Sequence, residues 1–347
     1  MSGLPSSQRA LIYRAVRQVE VIEHPVAEAG PGDAVLEVSH CGICGTDLHT
    51  VLEGMSPPDV IGGHEYSARI AGLGDAVQGW QLGDRVVPAG PGGCGECASC
   101  VAHRPSLCEQ RGGIGDGPGG PNGAFAEYVR VPASQLLRIP DAVGMREAAL
   151  SEPLAVALHG ISVSGAKPGD RVLVTGAGPI GMLSVAACAA LGIEDVTISE
   201  PAAPRRQRAL EVGAKQGCAP EDLAVPPMPF TIVDEPYDVV LECSGNPRAM
   251  ESALAQLRRL GTLVLVGTGI RRPKIDHNRI LLNELVMTGA YCYDENGIAL
   301  ALELLATGRL PTELLIEPED VPLEGMLEAV ERSHAGELAG KVMIIPR

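Results

Sequence analysis

The most closely spaced reactive side chains in the sequence are four cysteines, Cys94, Cys97, Cys100 and Cys108. Four thiolates can surround one tetrahedral Zn²⁺ at about 2.3 Å per Zn–S bond. A site closed by four sulfurs has no position for a substrate, so the cluster predicts a structural zinc ion. An iron–sulfur or zinc-storage protein is the non-enzymatic alternative. Glu109, however, follows Cys108 where a two-cluster ferredoxin carries proline.

A second metal site is predicted from two short segments, residues 41–49 and 62–65. A catalytic zinc needs about three protein ligands and one open position. The candidate ligands are a cysteine, a histidine and a carboxylate from one of two glutamates: Cys44, His64, and Glu65 or Glu152. Cys41 and Cys44 also form a C-x2-C pair, which suits a redox pair or two zinc ligands. We interpret Cys41 as a small residue beside the site.

A glycine-rich turn after a predicted strand indicates a dinucleotide site. Its G-x-G-x-x-G pattern consists of Gly176, Ala177, Gly178, Pro179, Ile180 and Gly181. The first glycine allows a tight turn, the second lets a pyrophosphate approach the backbone, and the third lets helix and strand pack closely. The N-terminus of the following helix then faces the phosphates.

Glu200 ends the next predicted strand, and it bears on the choice of cofactor. A carboxylate at this position accepts both ribose hydroxyls of NAD and repels the 2′-phosphate of NADP, so NAD is predicted. Arg205 and Arg206 lie close enough in sequence to soften that repulsion. Gly267 and Thr268 follow a later strand at the same sheet edge, and we expect them beside the nicotinamide.

Two kinds of framework must position these sites. Short β-type runs between Gly and Pro fill residues 10–140 and predict an all-β, barrel-like unit, with a loop at the glycine-rich residues 112–123. Beyond about residue 150, strands alternate with helices, which predicts a parallel sheet covered on both faces. The expected strands are 171–175, 195–199, 237–242 and 262–266, and the expected helices are 150–163, 180–191, 205–212 and 248–257. The remaining expected elements are helices at 297–306 and 323–333 and a strand at 341–345.

Composition excludes several classes of function. The chain has 347 residues and a formal net charge of −16, which argues against binding to nucleic acid or to an anionic membrane surface. No apolar run reaches the roughly 18 residues of a membrane span, and the N-terminus lacks the pattern of a secretion signal. Ten cysteines in such a chain suggest metal ligands and free thiols, so we expect a cytoplasmic protein.

Taken together, the motifs resemble those of the zinc-dependent medium-chain dehydrogenase/reductase family, the alcohol and polyol dehydrogenases. C-G-T-D-L-H, G-H-E, the four-cysteine lobe, G-D-R-V, G-A-G-P-I-G and G-K-V occur in the family's order over essentially the whole chain. The resemblance implies an α/β protein with a GroES-like β-barrel catalytic domain (1–149) and a Rossmann NAD-binding domain with a doubly wound parallel sheet (150–294). The chain would then return to the catalytic domain (295–347).

The family pattern also implies a role for each site residue. Cys44 and not Cys41 is the zinc cysteine, His64 is a ligand, and Glu65 is a direct or exchangeable ligand. Glu152, in Ser151-Glu152-Pro153, matches polyol, threonine and sugar dehydrogenases and holds zinc directly or through water. The remaining roles are that Asp47 orients His64 and that Thr46 and His49 form a proton relay. Gly90 stands where a pocket aromatic is common, which predicts a roomy pocket suited to polyols or sugars.

The function implied by this resemblance is reversible hydride transfer from a secondary alcohol or polyol to NAD⁺, with two zinc ions per chain. The expected assembly is a homodimer or homotetramer formed through the edge of the Rossmann sheet, at residues 281–289. An NAD(P)-dependent dehydrogenase of amino alcohols, sugars or secondary metabolites is the nearest alternative. A zinc-free quinone or enoyl reductase and an inactive homologue that acts as a binding module are more distant ones.

Overall fold

The computed structural model describes residues 3–90, 92–110 and 123–347, so the loop expected at 112–123 lies outside the described residues except for Gly123. The first part of the chain forms a β unit with few helices. Its strands are β1 (Ser7–Ala15), β2 (Gln18–Pro25), β3 (Asp33–Gly42), β4 (Glu65–Leu73), β5 (Arg85–Pro88), β6 (Tyr128–Pro132) and β7 (Leu136–Arg138). Its helices are α1 (Gly45–Glu53), α2 (Ala98–Val101) and α3 (Met145–Ala148).

The strands of this unit pair mainly in antiparallel fashion. β1 and β2 form a hairpin, and a larger sheet has the order β3-β4-β5-β7, with β6 on β3. Leu36 and Val38 of β3 and Ala68 and Ile70 of β4 are buried in one apolar core. Burial of these small and branched side chains on the pleated surface holds the sheet in register, so that the chain segments after β3 and before β4 meet at one end.

The middle of the chain alternates helices and strands. Its elements are α4 (Ser151–Ser164), β8 (Arg171–Thr175), α5 (Pro179–Ala190), β9 (Asp195–Ser199), α6 (Ala203–Val212), β10 (Gln216–Cys218), β11 (Tyr237–Glu242), α7 (Pro247–Ala255), β12 (Leu257–Leu265), α8 (His277–Asn283), β13 (Val286–Gly289) and α9 (Gly297–Ala306). The six strands are parallel and have the order β10-β9-β8-β11-β12-β13. The chain leaves β8 in one direction and resumes at β11 on its other side, which creates the crevice where such sheets bind ligands.

The last described elements rejoin the first sheet. They are α10 (Thr312–Leu315), β14 (Val321–Pro322), α11 (Met326–His334) and β15 (Met343–Ile345). β15 pairs antiparallel with β3, where Ile344 faces Cys41, and β14 pairs with β15. The sheet that carries the predicted metal site is therefore built from both ends of the described chain. The domain boundaries at 149 and 294 stay predictions.

The alternating elements follow the sequence closely, and the largest difference is that the strand expected at 262–266 spans Leu257–Leu265. The expected strands at 171–175, 195–199 and 237–242 are present with those bounds. The helix expected at 248–257 ends at Ala255, because Leu257 already pairs with Tyr237 as the first residue of β12. Gln256, between them, ends the helix and donates a side-chain hydrogen bond to the carbonyl of Ala224 at 2.7 Å.

Candidate active site

The four cysteines of the predicted structural site lie together in a lobe around α2. Their sulfur atoms all lie within 4.8 Å of one another. Cys94 Sγ lies 3.9 Å from Cys100 Sγ, and Cys97 Sγ lies 4.0 Å from Cys108 Sγ. Four sulfurs at about 2.3 Å from one ion would stand about 3.8 Å apart. The cluster therefore fits a tetrahedral zinc ion.

Charged side chains attach this lobe to the parallel-sheet unit. His103 Nδ1 lies 2.8 Å from Glu295 Oε2, and Arg104 forms an ion pair with Asp294. His159, buried on α4, lies between them: its Nε2 is 3.1 Å from Arg104 Nη2 and its Nδ1 is 3.5 Å from Asp294 Oδ2. The lobe is thus fixed to the long helix that precedes the nucleotide site.

The first ligands of the predicted catalytic site are placed by the start of α1. Cys44 is the N-cap residue, and the carboxylate of Asp47 accepts its backbone N–H at 2.8 Å, which fixes the start of α1 close to the N-terminal end of β4. His64 and Glu65 stand at that end. Donor atoms of Cys44, His64 and Glu65 lie within 4.8 Å of one another, so the structure brings these three predicted ligands together.

Glu65 also has a cationic partner that the sequence interpretation missed. Lys341 Nζ lies 2.7 and 2.6 Å from the two oxygens of Glu65 and donates to the carbonyl of Ile43 at 2.9 Å. Both charged side chains are almost completely buried. Burial alone would lower the pKa of Lys341, but Glu65, Cys44 and Glu152 together outweigh it and the pKa is raised. A lysine at the start of an apolar strand was the available indication in the sequence.

The surroundings of this group favour a bound cation. Burial raises the pKa of Glu152 to about 7 and that of Asp47 to about 6, and the neighbouring His64 and Lys341 compensate this effect only in part. Burial alone would lower the pKa of His64, but Cys44, Glu152 and Asp47 outweigh it and hold the pKa well above its usual value. A cysteine sulfur next to several buried carboxylates is a favourable environment for a dication. Glu152 lies outside the three-donor group but lines the same cavity.

Cys41 differs from Cys44 in its environment. It is fully buried, and burial, with Asp47 and Glu65 nearby, raises the pKa of its thiol well above the usual value. It is not a member of the three-donor group. This environment is consistent with a small neutral residue beside the site.

The predicted relay residues lie next to the donors on α1. Thr46 Oγ1 is 3.6 Å from Cys44 Sγ, and His49 Nδ1 is 2.7 Å from Glu53 Oε2. Thr46, His49 and all four candidate catalytic ligands line one cavity of about 1530 Å³. The glycine turn lines the same cavity through Gly176, Gly178, Pro179 and Ile180.

The glycine turn has the close approaches that the motif predicts. Gly176 has φ of 87°, and a Cβ there would stand 2.7 Å from Ser244 Cβ. A Cβ on Gly181 would stand 1.8 Å from the carbonyl oxygen of Gly176. At Gly178, the N-cap of α5, a Cβ would meet no atom within 4 Å, which leaves the helix terminus open to the cavity. Such a terminus suits a pyrophosphate.

Glu200 is held next to this turn. Its carboxylate is buried and accepts the backbone N–H groups of Ala177 at 2.8 Å and Ala202 at 2.9 Å. Arg205 also lines the cavity, but its guanidinium donates to the carbonyls of Ser333 at 2.9 Å and Leu338 at 2.6 Å. Arg205 thereby ties α6 to the segment that returns to the first sheet.

Gly267 and Thr268 lie across the crevice from the glycine turn. A Cβ on Gly267 would stand 2.4 Å from the backbone nitrogen of Gly245, so only glycine fits where the ends of β11 and β12 meet. Glu242 fixes this corner, because its carboxylate accepts the backbone N–H of Ser244 at 2.9 Å. Glu242 was missed at the sequence level, where it looks like the last residue of a strand.

The pocket hypothesis for Gly90 needs a correction. Gly90 does not line the cavity, and the ring of buried Tyr293 occupies the space next to it, so a Cβ there would stand 2.5 Å from Tyr293 Cε2. The aromatic ring comes from a distant part of the chain, which local spacing does not reveal. Among the described residues, Tyr291 supplies the cavity's aromatic wall.

One cavity thus joins a cysteine–histidine–carboxylate donor group to a dinucleotide-binding turn, which defines a zinc-dependent, nicotinamide-dependent dehydrogenase. The alcohol dehydrogenase GroES-like domain model matches residues 30–141, and the zinc-binding dehydrogenase model matches residues 179–307.

In the parts of the chain that the structure describes, no helix is long and apolar enough to cross a membrane.

Known proteins are similar over nearly the whole chain. L-threonine 3-dehydrogenase from Xanthomonas oryzae pv. oryzae is 32% identical, over 97% of this chain and 99% of the relative. Sorbitol dehydrogenase from Bacillus subtilis is 30% identical, over 95% of this chain and 94% of the relative. A solved zinc-binding dehydrogenase from Sinorhizobium meliloti 1021, bound to NADP, is 30% identical with a TM-score of 0.85, over 99% of this chain and 100% of that one. The chain belongs to the zinc-binding alcohol dehydrogenase family, and the family and fold predicted from the sequence are confirmed.

Proposed function

We propose that the protein oxidises a secondary alcohol or polyol, reversibly, with transfer of hydride to NAD⁺. The observation that carries this proposal is the shared cavity, in which Cys44, His64 and Glu65 lie together and the glycine turn opens. When bound, zinc supplies a Lewis acid that polarises the hydroxyl, and the nicotinamide accepts the hydride.

The chain's own residues hold the metal and move the proton. Cys44 and His64 are the fixed ligands, and Glu65 is the near carboxylate, with Lys341 balancing its charge. Glu152, on the other wall, is the carboxylate that can replace Glu65 or hold a ligand water. Asp47 orients the group through the start of α1.

The proton leaves through the polar side chains of α1. Thr46 Oγ1, adjacent to Cys44, accepts the proton of the substrate hydroxyl and gives up its own hydroxyl proton toward His49 and solvent. His49 lies on the same helix, and its Nδ1 is engaged by Glu53. Its Nε2 has no partner in the described parts of the chain, so this nitrogen is the one that exchanges the proton with solvent.

NAD rather than NADP is the proposed cofactor. The support is the buried carboxylate of Glu200 beside the glycine turn, which would repel a 2′-phosphate. The Sinorhizobium meliloti relative binds NADP, so this preference is a property of the present chain's Glu200 and not of the family. When NAD is bound, Gly176, Gly178, Pro179, Ile180 and Gly181 would hold its pyrophosphate, and Gly267 and Thr268 would stand beside the nicotinamide.

The relatives' names favour a hydroxyl on a secondary carbon. L-threonine 3-dehydrogenase and sorbitol dehydrogenase both act, by name, on molecules with such a hydroxyl and further polar groups. A polyol is the first candidate class, and an amino alcohol, sugar or other functionalised alcohol is the second.

A cytoplasmic location stays a prediction from the free cysteines.

The assembly we propose is a homodimer through the edge strand β13. Leu281 of α8 and Val286 of β13 are 69% and 51% exposed. Buried Arg279 donates to the carbonyls of Pro226 and Thr231, which holds a proline-rich segment with the exposed Met228 and Phe230 against α8. An unpaired strand edge beside apolar side chains is self-complementary under a two-fold axis.

An NADH-release screen tests the proposed reaction. The zinc-loaded protein should reduce NAD with at least one alcohol among polyols, sugars, amino alcohols and simple secondary alcohols. Cys44→Ser and His64→Ala should reduce turnover to background while the melting temperature stays near that of the wild type. Cys41→Ala, a cysteine of the same segment outside the donor group, should remain active. Full turnover in either variant would contradict the assignment of Cys44 and His64 as ligands of the catalytic metal.

A further inference from the structure

Four cationic side chains border the cavity at its outer end. We call them the cationic rim: Arg248, Arg271, Arg272 and Lys274. Arg248 lies in the first turn of α7, after β11, and the other three follow β12. All four are exposed, so the rim stands at the mouth of the cavity.

The rim side chains are unusual in having no partner. Within residues 3–90, 92–110 and 123–347, none of them takes part in an ion pair or a side-chain hydrogen bond. Most other arginines of the same unit are engaged; for example, Arg258 pairs with Asp238, and Arg171 pairs with Asp195. The acidic chain, with a net charge of −16, has many carboxylates to offer, yet none of those described neutralises the rim.

Acids that line the cavity are directed elsewhere. Glu251, on α7, accepts the backbone N–H of Lys274 at 2.7 Å and so fastens the rim segment instead of pairing with its ammonium group. Glu53 faces His49, Glu65 faces Lys341, and Glu200 accepts backbone N–H groups. Like charges gathered at the mouth of a cleft repel one another and focus a positive potential into it, which suits an external anion.

We infer that the cationic rim binds an anionic group, a phosphate or a carboxylate, on a ligand that enters the cavity. The paired donors of a guanidinium match both groups geometrically. Two sources share this chemistry, the phosphates of the dinucleotide and an acidic group on the substrate. The rim follows β11 and β12, whereas Glu200 follows β9 on the far side of β8. That separation favours the substrate, in which case the inference refines the proposed function and rests on it.

Binding of inorganic phosphate to the zinc-loaded protein tests the rim directly. Calorimetry at low ionic strength should show phosphate binding that weakens with added salt. The double variant Arg271→Gln, Arg272→Gln should raise the Kd for phosphate at least about threefold. Lys167→Gln with Arg259→Gln is the matched control, because these exposed cations also lack a partner in the described residues but do not line the cavity. Equal phosphate affinity in all three proteins would overturn the inference.

Saturation with NADH separates the two sources. Phosphate binding that persists in the NADH complex, with unchanged NADH affinity in the rim variant, assigns the anion to the substrate. Displacement of phosphate by NADH, with weaker NADH binding in the rim variant, assigns it to the cofactor. His64→Ala should leave phosphate affinity unchanged. A protein that binds phosphate through the rim but reduces no NAD would contradict the proposed function, but it would not contradict the inference about the cationic rim.

Discussion

Glu65 and Lys341 form a buried ion pair directly beside the candidate metal ligands. Two opposite charges removed from water stabilise a fold only while each has its partner, and loss of one partner leaves an uncompensated charge inside. A dication held by Cys44 and His64 would give Glu65 a second partner. The contribution of Lys341 to stability should therefore depend on whether zinc is bound.

Replacement of the lysine measures this dependence. Lys341→Met should lower the free energy of unfolding by about 3–5 kcal/mol in the metal-free protein and by less in the zinc-loaded protein. Thermal melts of both forms check this, with Lys167→Met as an exposed control. Adding Glu65→Gln to Lys341→Met should recover most of the loss. An equal loss with and without zinc would show that Glu65 does not share its charge with the metal.

Glu200 offers a second test at the scale of single residues. Glu200→Gln removes the charge that opposes a 2′-phosphate, so the ratio of kcat/KM for NAD to that for NADP should fall by at least about tenfold. Steady-state kinetics with both cofactors measure this ratio. Glu194→Gln, an exposed acid just before β9, should leave it unchanged. A wild-type preference for NADP would defeat the assignment.

Sequence patterns predicted the local parts of the site better than the distant ones. Cys44 and Asp47 sit in one helical turn, so their spacing fixes their geometry. His64 and Glu65 are brought to the site by the pairing of β4 with β3, which is close to it in sequence. Lys341 was missed, because its contact with Glu65 spans 276 positions and depends on how β15 returns to β3. The ring of Tyr293 over Gly90 was missed for the same reason.

At the scale of elements, the cysteine lobe depends on metal for its shape. Helix α2 has four residues, and none of them is buried, so apolar packing contributes little to its stability. The ties from Arg104 and His103 to the 294–295 segment attach the lobe but do not form its interior. Coordination of zinc by the four sulfurs would supply the missing stabilisation.

Removal of one sulfur tests this role. Cys97→Ser should lower the zinc content from about two to about one per chain and the melting temperature by several degrees, because a structural metal contributes several kcal/mol. Elemental analysis and calorimetry measure the two effects. Cys218→Ser, a single cysteine outside the donor groups, is the control. An unchanged zinc content in the Cys97 variant would mean that the lobe holds no metal.

The parallel-sheet elements were predictable because their strands are continuous apolar runs between turn residues. Val172, Leu173 and Val174 are fully buried, and the unbroken apolar run between turn residues marks them. The β1–β2 hairpin, α8 and β13 were not singled out in advance. β13 and α8 have exposed apolar residues and few buried ones, so their pattern does not distinguish a packed face from a solvent face.

At the scale of the whole molecule, exposed apolar side chains at one sheet edge indicate self-association. Val286→Asp together with Leu281→Asp should convert a dimer to a monomer, because two copies would then bring buried like charges together at α8 and β13. Light scattering after size exclusion gives the mass. Leu82→Lys, an equally exposed leucine in the turn before β5, should keep the wild-type mass. A wild-type monomer would refute the proposed interface.

The contact between Glu65 and Lys341 can form only late in the synthesis of the chain, which sets the order in which its parts can fold. The ribosome adds about 5–20 residues per second, so the 276 positions between the two residues take about 15–55 seconds to synthesise. During that interval β3 lacks β15, and the Glu65 carboxylate lacks its lysine, while the whole parallel-sheet unit emerges and can fold. The first unit to be made is therefore the last to be finished. Until Lys341 has been synthesised, the cysteine and carboxylate side chains of that unit remain accessible to any metal ion in the surroundings.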